Sequence, residues 1–244
     1  VNFLQNHLPS ELYFIDRVNK LKRLLMRADK EIVGQEGLKS RVVDFLIGFI
    51  FGGSLRVPYL NMLLMAPPGA GKTYMAKRIG KIFATAGLLL RDFFKEATPR
   101  DLIAKYEGQT FAKVHSLLHT CYEGVLFVDE IYNIADSGYG EEAVGAMLNY
   151  ISENRGNIMI IGAGYEGYIR GPLPKGAAQR VPFLDVNQGL PSRFPMQIVL
   201  PSYTAAELFG ILRRNTATGI HYTVRARNLF LQVCEEVKPE LFCY

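Results

Sequence analysis

Five short apolar segments constrain the fold of this chain more than any other feature of its sequence. Their apolar residues do not alternate with polar ones, and stretches with helical periodicity separate them. Strands of this kind are buried on both faces, as in a parallel sheet that is covered by helices. We therefore expect an α/β fold with a parallel sheet sandwiched by helices. The predicted strands are residues 59–66, 93–97, 125–128, 158–163 and 196–200.

Helical stretches lie before, between and after these segments. The first has apolar residues at helical spacing opposite a basic face. After the last strand, Pro201 and Ser202 mark a boundary, and Ser202 or Thr204 can cap the helix that follows. The chain divides into a helical segment, a large α/β unit and a smaller helical part, residues 1–31, 32–201 and 202–244. The predicted helices are residues 11–30, 36–51, 72–86, 111–122, 141–154, 205–214 and 223–237.

The composition is that of a folded and mildly basic protein. Its 244 residues are 49% hydrophobic and carry a net charge of +5. Cys121, Cys234 and Cys243 are unevenly spaced and form no CxxC pair, which argues against a disulfide framework or a zinc site. We therefore expect the cytoplasm or another reducing compartment. No apolar run reaches the roughly 18 residues that cross a bilayer, so no membrane span is expected.

A glycine-rich turn follows the first predicted strand and opens a helix. Its sequence is Ala66-Pro67-Pro68-Gly69-Ala70-Gly71-Lys72-Thr73, which differs from the strict Walker A pattern only in having Ala at the first position. The glycines allow the backbone to curl around a phosphate chain, and the helix N-terminus favours an anion there. We therefore predict that Lys72 neutralises the β- and γ-phosphates of a nucleotide and that Thr73 holds Mg²⁺.

A second motif ends the third predicted strand. Four apolar residues, 125–128, are followed by Asp129 and Glu130. Downstream of a Walker A loop, such a pair is typical of the Walker B motif. We expect Asp129 to bind Mg²⁺ through water, and Glu130 to orient and deprotonate the attacking water. The presence of Glu130 predicts hydrolysis in addition to binding.

Together with further segments, the two motifs resemble an AAA+ ATPase. Several of these segments resemble one subgroup, which holds the CbbX-type rubisco activases, the sporulation protein SpoVK and the EccA ATPases of type VII secretion. It covers about residues 30–215. The supporting segments are Ile32-Val33-Gly34-Gln35-Glu36, Tyr106-Glu107-Gly108, Asp129-Glu130-Ile131-Tyr132, Asn154-Arg155, Gly162-Ala163-Gly164-Tyr165 and Gly189-Leu190-Pro191-Ser192-Arg193-Phe194.

The resemblance implies a set of residues that bind ATP with Mg²⁺. Thr73 and Asp129 are the implied metal-binding residues. Tyr165 stands where most of the wider superfamily has a short polar residue that senses the γ-phosphate. It either positions water through its hydroxyl or only packs, and both interpretations stay open. The implied nucleotide-binding residues are Val33, Gly34, Pro68, Gly69, Ala70, Gly71, Lys72, Thr73, Tyr74, Asp129 and Tyr165.

The resemblance also implies a ring, hexameric in this family, that acts on a protein. Arg193 would reach the γ-phosphate of a neighbouring subunit, where its charge stabilises the transferring group. The pore loop would be Tyr106, Glu107 and Gly108, with the aromatic ring gripping an extended polypeptide in the central channel. Nucleic acid is not an expected partner.

The sequence departs from the subgroup in two further places. Residues 170–190 contain about a dozen more residues than the subgroup has before Arg193, and their prolines indicate a loop. The family's small helical lid carries a sensor-two arginine on a later helix. Tyr222 and Thr223 resemble the start of the helix before it, so we expect residues 202–244 to form an incomplete lid.

Two other functions compete with a ring that remodels proteins. One is a nucleic-acid motor or clamp loader, which the basic charge permits. The absence of a zinc module, a helix-turn-helix or a stripe of aromatic and basic residues opposes it. The other is a degenerate, structural AAA+ domain in a larger assembly. Ala66 and the short lid favour this second function, whereas Lys72, Glu130 and Arg193 oppose it.

Overall fold

Five parallel strands form the sheet in the computed structural model, which describes residues 10–51, 59–106, 108–136, 138–177, 180–216 and 220–236. Their spatial order is β2-β3-β4-β1-β5, and every neighbouring pair is parallel. The predicted α/β fold with a parallel sheet is confirmed. The strands are β1 (Met62–Met65), β2 (Phe94–Ala97), β3 (Val125–Val128), β4 (Met159–Gly164) and β5 (Met196–Val199).

Helices connect the strands and follow the last of them. Two short 3-10 helices, Ile131–Ile134 and Phe183–Asp185, lie in the connections. In the described part of the chain, no helix combines the length and the apolar character that crossing a membrane requires. The α-helices are α1 (Ser10–Glu31), α2 (Glu36–Phe51), α3 (Lys72–Ala86), α4 (Pro99–Leu102), α5 (Thr110–Thr120), α6 (Gly140–Glu153), α7 (Glu166–Arg170), α8 (Leu190–Arg193), α9 (Ala205–Asn215) and α10 (Val224–Glu236).

Two hydrophobic clusters, one on each face of the sheet, form the core. Along β1, Met62 and Leu64 enter the cluster that is shared with α1, α2 and α3. Leu63 and Met65 point the other way, into the cluster that is shared with α5 and α6. Fully burying one such side chain stabilises the fold by about 1.5 to 3 kcal/mol. The double burial explains why β1 is apolar at every position instead of alternating.

The predicted helices and strands agree with the observed ones to within three residues at either end. The largest difference is at β1, predicted from residue 59 but beginning at Met62. The short helices α4, α7 and α8 were not predicted, because each is too brief to show periodicity. Of the two residues proposed to cap α9, the structure uses Thr204, whose side chain accepts a hydrogen bond from the Glu207 amide.

The segment 170–190 is fixed to the core near its end. Phe183, in the second 3-10 helix, is fully buried, and its ring meets the ring of Phe194 edge-on, with 6.1 Å between centroids. The prolines correctly indicate a segment without long helices or strands. The prediction missed this buried aromatic anchor, because one Phe in a loop has no periodic pattern around it.

Candidate active site

The turn between β1 and α3 has the backbone of a phosphate-binding loop. Gly69 and Gly71 have φ values of 71° and 78°, in the left-handed region that glycine adopts without steric cost. Gly71 is the N-cap of α3, and its carbonyl accepts the first helical bond, from the Met75 amide at 2.9 Å. The first amides of α3 therefore lie at the rim of the turn without partners in their own helix.

The first residue of the turn does not need to be glycine. Ala66 is buried, and its backbone lies outside the left-handed region. Its amide donates a hydrogen bond to the carbonyl of Gly164 at 3.0 Å, which extends the pairing of β1 with β4. The departure from the strict Walker A pattern at this position therefore leaves the shape of the turn intact.

The side chain of Lys72, in the turn, lies near the carboxyl end of β4. The ammonium of Lys72 is 3.5 Å from the carbonyl oxygen of Pro67 and 5.6 Å from the centroid of the Tyr165 ring. Thr73 is partly buried at the second position of α3. Tyr165 also packs beside Tyr132, with 6.3 Å between centroids, so both interpretations of Tyr165 remain compatible with its position.

The two carboxylates follow β3 at the same edge of the sheet. One strand, β4, separates β3 from β1, which places the two strand ends about 10 Å apart. Asp129 accepts a hydrogen bond from the Glu130 amide at 3.0 Å through Oδ1. Glu130 has left-handed backbone angles, φ 48° and ψ 44°, and its Oε2 accepts a hydrogen bond from Asn133 Nδ2 at 3.0 Å. The sheet therefore brings Lys72 and both carboxylates to one edge.

A cavity of about 280 Å³ opens beside the turn. Val33 and Ile211 give it apolar walls, Tyr203 lies between them, and Gly69 and Gly71 form its edge towards the turn. Burial is the main reason that the pKa of the Tyr203 phenol is raised, so the neutral side chain persists well above neutral pH. The shape suits a flat, largely apolar base whose phosphates would extend over the turn.

Of the remaining predicted nucleotide contacts, Tyr74 lines this cavity, and Gly34, Pro68 and Ala70 each adjoin one of its lining residues in the sequence. Gly34 has φ 60°, and a Cβ atom built on it would lie 1.9 Å from Oε1 of Glu207. Pro68 is exposed and Ala70 is buried. Tyr74 is another wall of the cavity, and its hydroxyl donates to the carbonyl of Glu31 at 3.1 Å. The close approach of Glu207 connects the helical part after residue 201 directly to Gly34.

Arg193 lies at the opposite edge of the sheet. Met62 pairs with Met196 and Met65 with Val199, so the turn follows the carboxyl end of β1, whereas Arg193 precedes the amino end of β5. The two edges are about 10 Å apart along the strands. The guanidinium contacts Ser152 Oγ at 3.3 Å, away from the chain's own phosphate-binding turn.

A buried amide fixes the backbone of Arg193. Asn61 Nδ2 donates to the Arg193 carbonyl at 2.9 Å, and Asn61 Oδ1 accepts from the amide of Ile160 at 2.8 Å. Only 1% of Asn61 is exposed, so water does not compete for either bond. The sequence analysis overlooked Asn61, although it is the one polar residue in the predicted strand 59–66.

The candidate pore loop connects α4 to α5. Tyr106 is 67% exposed, and Gly108 has φ 74° with open space where a Cβ atom would lie. Glu107 lies outside the described residues. Lys113 holds the base of the loop, since its ammonium donates to the carbonyls of Arg100 and Ile103 at 2.8 and 2.7 Å. The aromatic ring therefore projects from an anchored base.

Comparison with known proteins identifies the family. A model described as "ATPase family associated with various cellular activities (AAA)" matches residues 62–181. The chloroplastic ribulose bisphosphate carboxylase/oxygenase activase of Cyanidioschyzon merolae is 31% identical over 232 residues, which are 91% of this chain and 69% of that protein. The chain belongs to the AAA family of ATPases. Nucleotide binding and ATP hydrolysis are the chemistry of that family, and the P-loop above is its signature.

Other similar proteins place the AAA domain in the expected subgroup. The ESX-3 secretion system protein EccA3 of Mycolicibacterium smegmatis is 33% identical over 222 residues, 84% of this chain and 35% of that protein. The chain thus spans about a third of that relative's length. The crystal structure of the FIGL-1 AAA domain in complex with ADP has a TM-score of 0.56 and 17% identity, over 86% of this chain and 69% of that one, and shows the shared fold. The predicted subgroup is confirmed.

Proposed function

We propose that this AAA domain hydrolyses ATP within a ring of identical subunits and uses the energy to remodel a bound polypeptide. The observation that supports this most is that the predicted catalytic residues are divided between the carboxyl ends and the amino ends of the strands. Lys72, Asp129 and Glu130 are at the carboxyl edge, whereas Arg193 is fixed at the amino edge. A neighbouring copy would bring the two halves together.

The triphosphate would bind across the turn. Successive backbone amides and the N-terminus of α3 favour its negative charge, and Lys72 neutralises the β- and γ-phosphates. The contacts of Lys72 with Pro67 and the Tyr165 ring are weak, so a phosphate can replace them at little cost. The base would occupy the cavity between Val33 and Ile211.

The residues near the γ-phosphate fit a bound Mg²⁺. Magnesium prefers oxygen ligands and retains several waters, and the hydroxyl of Thr73 and the carboxylate of Asp129 supply such oxygens. Asp129 uses Oδ1 to accept the Glu130 amide, so Oδ2 is the oxygen we assign to the metal's water shell. The ion would neutralise the charge that develops on the phosphates.

Glu130 would act as the general base. Its side chain is exposed at the end of β3 and can reach a water beside the phosphate edge. Asn133 donates to Oε2 and the Tyr132 hydroxyl is also hydrogen-bonded to this carboxylate, so a lone pair that these two donors leave would accept the proton as the water attacks. Arg193 of a neighbour would then stabilise the charge on the transferring group, as arginines supplied in trans do in related phosphoryl transfers.

The polypeptide would be gripped by Tyr106. A ring of exposed aromatic side chains packs non-specifically against an extended chain, and Gly108 allows the loop to move. Lys113 anchors the base of this loop to α5, which packs against α6. Binding and hydrolysis at the subunit contacts would therefore move the loops relative to one another.

Mixing two inactive variants tests the proposal. Glu130→Gln lacks the base in its own pocket, and Arg193→Ala cannot complete the pocket of its neighbour. In a mixed ring, an Arg193→Ala pocket beside a Glu130→Gln subunit has both groups, so an equal mixture should recover about a quarter of the wild-type rate. ATP turnover is measured for each variant and for the mixture.

Two results would contradict the proposal. One is normal turnover by Glu130→Gln alone, which would remove the base. The other is no recovery in the mixture although electron microscopy with a slowly hydrolysed ATP analogue shows mixed rings. That outcome would mean that Arg193 does not act on a neighbour's pocket.

A further inference from the structure

The segment 170–190 reaches back to the residues that follow Glu130. Arg180 forms an ion pair with Asp136 at 3.1 Å, and its Nη1 donates to Oδ1 of Asn133 at 3.4 Å. Its guanidinium also lies 5.3 Å from the centroid of the Tyr168 ring. Three contacts from two parts of the chain therefore hold this exposed arginine against the 3-10 helix after β3.

Asn133 is bonded at both ends of its side-chain amide. Nδ2 donates to Oε2 of Glu130 at 3.0 Å, while Oδ1 accepts from Arg180. A guanidinium can only donate, so it fixes the amide with its oxygen towards Arg180 and its NH₂ group towards Glu130. If the amide were reversed, its oxygen would face the carboxylate and its NH₂ group would face Arg180, which is unfavourable at both ends.

The charge of Arg180 also strengthens the bond to Glu130. Hydrogen bonds in series polarise one another, and the cation draws electron density from the amide, which makes its NH₂ group a better donor. Glu130 is an exposed side chain with several rotatable bonds, so a base at this position needs an external contact to stay oriented. Asn133 supplies such a contact in addition to the Tyr132 hydroxyl, and Arg180 orients Asn133.

We propose that Arg180 is a positioning residue for ATP hydrolysis, which acts through Asn133 to hold the Glu130 carboxylate towards the attacking water. This inference rests on the proposed role of Glu130 as the base. It also gives the segment 170–190 a function, which is to place the Arg180 guanidinium against Asn133, on the far side of that residue from Glu130. The buried Phe183 anchors the loop only three residues further along, which keeps Arg180 within reach.

The test compares Arg180→Ala with a matched arginine in the same part of the chain. Arg170 forms an ion pair with Glu166 within its own helix, α7, so Arg170→Ala is the control. Arg180→Ala should lower kcat by about threefold to tenfold, the rate equivalent of one lost hydrogen bond, with an unchanged KM for ATP. Arg170→Ala should retain the wild-type kcat.

A double-mutant cycle separates positioning from a general effect on structure. Asn133→Ala should lower kcat at least as much as Arg180→Ala, and adding Arg180→Ala to it should cause no further fall. Thermal unfolding of all variants checks that the fold is retained. An unchanged or higher kcat in Arg180→Ala, or an additive fall in the double variant, would overturn the proposal.

Failure of this inference is distinguishable from failure of the proposed function. If Glu130→Gln retains normal turnover, Glu130 is not the base and both proposals fall. If Glu130→Gln is inactive while Arg180→Ala matches the wild type, only the positioning role of Arg180 is wrong.

Discussion

In the proposed function, nucleotide binding depends most on Lys72. Its ammonium lies over the turn with only two weak contacts described, to the Pro67 carbonyl and the Tyr165 ring, so its charge is ready for a phosphate. Lys72→Ala should weaken ATP binding by roughly 10- to 100-fold, because a hydrogen bond to a charged group contributes about 1.5 to 3 kcal/mol. Equilibrium titration with a fluorescent ATP analogue measures this change.

Lys77 provides the control for that substitution. It lies on the same helix, α3, half exposed, and pairs with Glu96 on β2. An exposed pair of this kind contributes little, so Lys77→Ala should bind ATP as the wild type does. Equal affinities for the Lys72→Ala variant and the wild type would count against the phosphate-binding role of the turn.

The backbone shape of the turn was predictable because the residues that form it are close in the sequence. Gly69, Gly71 and Lys72 are adjacent in the chain, so their spacing alone indicates the turn. Asn133 and Arg180 are 47 positions apart, and their contact depends on the path of the segment between them. Nothing in the local sequence of Arg180 distinguishes it from an ordinary surface arginine, so only the structure could reveal it.

At the scale of elements, Asn61 connects three parts of the fold. Its amide joins the start of β1 to β4 and to the end of α8, through partners 99 and 132 positions away. Asn61→Ala would leave a buried amide and a buried carbonyl unpaired. The free energy of unfolding should fall by about 2 to 4 kcal/mol, which urea denaturation measures.

Asn154 is the matched control for this prediction. Its side chain donates only to the carbonyl of Tyr150, one turn back in the same helix, and it is partly exposed. Asn154→Ala should therefore cost less than about 1 kcal/mol. If both variants unfold at the same urea concentration, the buried bonds of Asn61 do not hold these elements together.

The long elements were predictable because burial on two faces leaves a clear pattern. Continuous apolar runs indicated β1, β3 and β4, and helical spacing indicated α3 and α6, all within three residues at their ends. Strand order was not predictable in the same way, because it depends on which faces the connecting helices cover. The edge at which Arg193 lies was predictable, because Arg193 precedes the last predicted strand of a parallel sheet, and the register of β5 against β1 agrees with this.

At the scale of the whole molecule, the divided site predicts activity that depends on protein concentration. A subunit alone keeps its own Arg193 away from its phosphate-binding turn, since Asn61 and Ser152 hold this arginine at the other edge. ATP turnover per subunit should therefore rise with concentration until rings are complete, and Arg193→Ala should stay low throughout. A rate per subunit that is constant from nanomolar to micromolar protein would contradict this.

The position of Arg193 also determines which subunit's pocket would be affected by a substitution of this residue. If Arg193 acts as proposed, a subunit that lacks the guanidinium would keep an intact pocket of its own but would disable the pocket of the adjacent subunit. In a linear oligomer, the pocket of one terminal subunit would have no neighbouring Arg193, and the Arg193 of the other terminal subunit would have no pocket to complete. Closing the oligomer into a ring would pair these two terminal subunits. Every pocket would then have an Arg193 from a neighbour, which no linear oligomer can achieve.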